Sequence, residues 1–154
     1  MVQLKGSLAL VGYDGTAANL VAFRGDQQVL IARGVPPGGV LLEPEGTAVL
    51  TDYDGEAGTL LASEGDLTEL ELIAERVHPR SYRFMLNMGA VGYVRDHDPD
   101  LGGGTLGVRV LETRDRFEVP GPVAEWDEVA WPSVGLLYVV EAGPRAGVWF
   151  AKAK

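Results

Sequence analysis

The feature that most constrains this chain is a duplication. Residues 13–26 read YDGTAANLVAFRGD and residues 53–66 read YDGEAGTLLASEGD, identical at eight of fourteen positions at an offset of 40. After a two-residue slip, LIARGVPPG (30–38) matches LIAERVHPR (72–80). A fainter third copy sets VGY (91–93) against VGY (11–13), and GGTL (103–106) against AGTL (57–60). LLYVVEAGPRAGVWFAK (136–152) reads as a fourth. A period of about 40 residues means that one supersecondary unit recurs. The chain is therefore read as one β domain with repeats at approximately 6–45, 46–88, 89–132 and 133–154.

Each unit has the same grammar. An apolar strand (8–13, 48–53, 90–94, 136–140) runs into a turn rich in Asp and Gly, and a second strand returns (19–24, 59–64, 105–111, 147–152). Asp bonds its own backbone and Gly takes positive φ without strain, so Asp-Gly is a strong turn signal. Leu20, Ala22 and Arg24 alternate with Val21 and Phe23, the period of a strand. Proline-bearing segments VPPGG (35–39), VHPRS (77–81) and VPGP (119–122) join the hairpins and keep ladders from continuing. The expected class is all-β: an antiparallel, hairpin-rich sandwich or barrel of repeated units, with at most one short helix. That helix is DLTELELIAERV (66–77), which has an N-cap and helical periodicity. Its sister DQQVLIARGV (26–35) reads as a strand, so strand is favoured for both.

At 154 residues and 16.4 kDa the chain can bury a real core. No apolar run approaches the ~18–20 residues of a membrane helix. The apolar stretch near the N-terminus is too short for a signal peptide, which implies synthesis in the cytoplasm. Cysteine is absent, excluding disulfides, thiolate metal sites and a Cys nucleophile. A net charge of −9 opposes phosphate backbones, and the densest basic group is only Arg76, Arg80 and Arg83. Neither nucleic acid nor membrane is expected as a partner. Two Asn, three Gln and nine Pro suit a thermostable protein, although a GC-rich genome also favours such a composition.

No catalytic constellation stands out. None of Ser7, Ser63, Ser81 and Ser133 lies in a nucleophile elbow. His78 occupies the position of Pro36 in the sister unit, which makes it a loop residue. In RDHDPDLGGG (95–104), Asp96, Asp98 and Asp100 alternate and are the candidates for a hard cation. Leu101 stands where a calcium loop needs Gly, and the closing Glu is missing, so a solvated hairpin tip is the plainer reading. LGGGTLG (101–107) is no phosphate loop, because no Lys follows it. With 22 acids, nothing singles out a glycosidase pair. A non-enzymatic protein without cofactors is expected.

Trp126, Trp131 and Trp149 all fall in the last third, either filling a core or forming a contact surface. AEWDEVAWPSVG (124–135) reads as an exposed, ordered connection and the best contact segment. Near the N-terminus, Val2 and Leu4, with Leu8 and Leu10, form an apolar strand suited to β-augmentation.

TAVLTDYDGEAGTLLASEGDLTELEL (47–72), with GTLLA at 58–62, resembles the core of tailed-phage head decoration proteins. PPGG (36–39) and DEVAWP (127–132) are similar to further features of that family. The resemblance implies a small β-rich protein that trimerises on the outside of a capsid and cements neighbouring capsid subunits. Its partners would be itself and a capsid protein, and its location the virion surface if viral, the cytoplasm otherwise. The 40-residue duplication and the long C-terminal part depart from the family pattern. The alternative is a β-trefoil-like module binding a carbohydrate or other ligand. That reading needs a sugar contact recurring in each unit, whereas the Trp residues gather at one end.

Overall fold

The computed structural model describes residues 7–65 and 67–153. Among them are thirteen strands, every observed pairing between them is antiparallel, and there is no helix. The chain divides into two compact units, one ending at Arg80 and one beginning at Ser81.

In the first unit, β1 (Ser7–Val11), β2 (Ala18–Arg24) and β3 (Gln27–Val35) form one sheet in chain order. β4 (Val40–Glu43), β5 (Gly46–Thr51), β6 (Gly58–Ser63) and β7 (Glu71–Val77) pair in sequence as a second set. The β3 carbonyls of Arg33 and Gly34 accept the N–H groups of Asp52 and Tyr53 at 3.0 and 2.9 Å. Leu20, Ala32, Val35, Val49 and Leu67 are buried together, with Leu8, Ile31, Val40 and Leu70 packed against them.

The second unit is a meander. β9 (Ala90–Asp98), β10 (Gly103–Val110), β11 (Arg116–Val129), β12 (Gly135–Val140) and β13 (Gly147–Lys152) each pair with the next, and β8 (Arg83–Met85) flanks β9. Its core includes Met85, Val94, Leu106, Val108, Val123, Trp126, Leu136, Tyr138 and Val140.

The two Asp-Gly turns are built alike. Asp14 Oδ1 accepts the N–H groups of Thr16 and Ala17 at 2.8 and 2.9 Å; Asp54 Oδ1 accepts those of Glu56 and Ala57, both at 2.9 Å. The Tyr13 and Tyr53 hydroxyls donate to the carbonyls of Gly15 and Gly55, each at 2.8 Å. Those glycines sit at φ 103° and 105°, a region closed to side chains. The following ladders agree too. Ala18↔Val35, Leu20↔Ala32 and Val21↔Leu30 in β2–β3 have the same two irregular steps as Gly58↔Val77, Leu60↔Ala74 and Leu61↔Leu72 in β6–β7. Left-handed residues also coincide: Gly34 with Arg76, and Gly38 with Arg80. The VGY likeness at 91–93 has no such counterpart. The left-handed residue of β9 is Asp96, which precedes the turn as Gly12 and Asp52 do.

Several expectations change. Neither unit closes a barrel, so the barrel form of the class falls away, and with it the closed barrel a trefoil needs. Within 66–77, strand begins only at Glu71, after a turn over 67–69. VPGP (119–122) does not end a ladder but lies inside β11. Val119 pairs with Leu106 and Val123 with Gly104, so the residues between them form a bulge, where prolines need give no ladder N–H. AEWDEVAWPSVG is not a connection throughout either, since residues 124–129 belong to β11.

Candidate protein-interaction surface

The terminal hairpin places the site. β12 and β13 pair Leu137 with Phe150 and Val139 with Val148, so these four side chains share one face. The opposite face carries Leu136, Tyr138 and Val140, all buried in the core. Val148 is 68% exposed, Phe150 46% and Leu137 40%, while Val139 is half-buried. β13 pairs only with β12 among the described residues, so its outer edge is a free ladder. On the β11 side the stripe meets Glu125 and Asp127, which pair with Val139 and Leu137 and are exposed. The surface is thus an apolar stripe between a carboxylate margin and an open strand edge.

The tryptophans scatter. Trp126 is 5% exposed and belongs to the core: it packs over Gly92, and its Nε1–H donates to the Ser81 carbonyl at 2.9 Å. The Arg83 guanidinium lies 4.7 Å from its ring and donates to its carbonyl at 2.8 Å. Trp149, opposite Tyr138 on the core side of β13, stays half-exposed at the rim. Arg145 stacks 5.1 Å from its ring, and Trp149 Nε1–H donates to the Arg145 carbonyl at 2.8 Å. Trp131 is 86% exposed in the connection after β11. Val2 and Leu4 lie outside the described residues. Among the described residues β1 pairs with β2 alone, and Leu10 is exposed.

At the acidic tip the three aspartates do not converge. Asp96 is paired to Arg95 at 2.7 Å, and Asp98 Oδ1 accepts the Asp100 N–H at 2.9 Å. Among the described residues, no three metal-ligating side chains converge. His78 lines an open cleft of about 510 Å³ with Thr16, Pro36, Pro37, Tyr53, Pro79 and Arg80. The Asp-Gly turns and the proline elbows meet there.

Sequence reasoning pointed to the tryptophans of the last third as contact residues and did not single out Leu137, Val139, Val148 and Phe150. The signal was present: VWF (148–150) places apolar side chains on both faces of a strand, which an edge strand with one buried face does not require. Compared with known proteins, the chain matches no family model, no curated protein and no solved structure.

Proposed function

We propose that this chain is a non-enzymatic assembly protein that acts through protein–protein contact at its terminal hairpin. Its partners are further copies of itself and a capsid protein, which it decorates and cements from outside. The observation that carries this reading is the stripe of Leu137, Val139, Val148 and Phe150 beside the free edge of β13. Burying a large apolar side chain is worth ~1.5–3 kcal/mol when it starts fully exposed, so three roughly half-exposed ones supply about 3 kcal/mol. An added strand would also satisfy the edge N–H and C=O groups. A net charge of −9 suits the outside of a particle better than its DNA-facing inside.

Sedimentation velocity at micromolar concentration tests the reading. Wild type is expected to run as an oligomer, a trimer on the decoration reading. Val148→Lys and Phe150→Lys, both on the solvent face, should run as folded monomers. A wild-type monomer throughout that range, or variants that associate unchanged, would refute it.

A further inference from the structure

A second feature lies on the other face of the β9–β11 sheet. Thr105, Gly107 and Arg109 leave β10 on the side away from Leu106 and Val108, which are in the core. Gly107 pairs with Tyr93 on one side and Glu118 on the other; Arg109 pairs with Val91 and Arg116. A Cβ at Gly107 would collide with Cε2, Cζ and Oη of Tyr93, so the tyrosine ring lies across β10 where no side chain stands. Its hydroxyl end is thereby carried towards β11, into the field of Arg116, Glu118, Arg95 and Arg109. Tyr93 is 2% exposed, and burial pushes its phenol above the ordinary value, so it keeps its proton as a donor.

The charges here do not balance. Glu118 is held by Arg95, whose Nε and Nη2 reach its Oε1 at 3.0 and 2.8 Å; the same arginine also binds Asp96. Neither Arg109 nor Arg116 has an ion-pair partner among the described residues. Arg109 is only 8% exposed, and its Nε–H has no hydrogen-bond partner among them. Arginines at directly paired positions on neighbouring strands repel, and a buried cation without a counter-charge is costly. That a chain of net charge −9 keeps two uncompensated arginines together needs a cause.

We propose that Tyr93, Arg109 and Arg116 form an oxyanion-binding site, with Arg109 as its floor and exposed Arg116 as its open side. Guanidinium forks match carboxylate and phosphate oxygens, and a phenol adds one neutral donor. The site does not depend on the terminal hairpin, so it stands or falls apart from the assembly reading.

The test is an NMR titration of the full chain at fixed ionic strength, with sodium phosphate, sodium glutarate and sodium chloride as separate arms. Saturable shifts are expected at the Gly107 and Glu118 amides and at Arg109 Nε–H. They should appear with phosphate, glutarate or both, and not with chloride. Saturation by glutarate alone marks a carboxylate ligand, and saturation by phosphate alone a phosphate-type ligand. Arg116→Gln should weaken binding by about threefold to fivefold and Arg109→Met by more than about tenfold. Tyr93→Phe should weaken it by about threefold. Should Arg109→Met fail to fold, Arg116→Gln, at an exposed position, decides. Shifts no larger than those with chloride, or affinity unchanged in Arg116→Gln, overturn the proposal.

Discussion

Asp14 and Asp54 show how one side chain writes a turn. Each carboxylate accepts two backbone N–H groups and is held below the usual carboxylate range, first by the N–H of Ala17 or Ala57. A folded-state value below the unfolded one stabilises the fold above the unfolded pKa, and that contribution is lost as pH falls through the folded value. Asp14→Ala and Asp54→Ala should therefore lower the thermal midpoint at pH 7, and the deficit should shrink at an acid pH below the ordinary carboxylate value, where wild type is losing the same bonds. An equal deficit at both values, read by circular dichroism, would contradict this account. These turns were legible in the sequence, because Asp-Gly encodes its own hydrogen bonds. The location of Trp126 was not. Strand period fixes which residues share a face, but not which face the core takes.

At the scale of elements, what the sequence disclosed depended on length and punctuation. The first and second strands of each apparent unit came out within a few residues of β1, β2, β5, β6, β9, β10, β12 and β13. β4 and β8 escaped because four and three residues are too few to show alternation. The first half of β11 escaped because its prolines read as a break, when a bulge can hold them. Packing between elements turns on close approach at a few glycines. Gly92 is where the Trp126 ring rests, and a Cβ there would collide with Cη2. Gly92→Ala should cost about 1–3 kcal/mol as overpacking, measured by urea denaturation. A cost under about 0.5 kcal/mol would mean that the indole shifts freely.

For the whole molecule, charge and apolar surface pull association in opposite directions. Copies with net charge −9 repel at low ionic strength, and salt screens that repulsion while leaving apolar burial intact. If the β12–β13 stripe drives assembly, raising NaCl from about 0.05 to about 0.5 M should strengthen association in sedimentation equilibrium. Weakening would instead point to charge pairing as the adhesive. The division at Arg80 and Ser81 was not legible, because composition and turn grammar run across it unchanged. The arginine site was equally hidden. Arg109 and Arg116 meet only through the β10–β11 register, and the turn that sets it, over 111–115, carries no Asp-Gly or Asn-Gly signal.

The meander of the second unit also governs how quickly it can form. From β9 to β13 each strand finds its partner in the next stretch of chain, so every loop to be closed is short. Loop-closure entropy dominates the delay in most β proteins, and it is small here. This unit can zip one hairpin at a time while the chain is still being made. Within the unit, β13 can join the sheet only together with β12 or after it, because β12 is its one partner among the described residues.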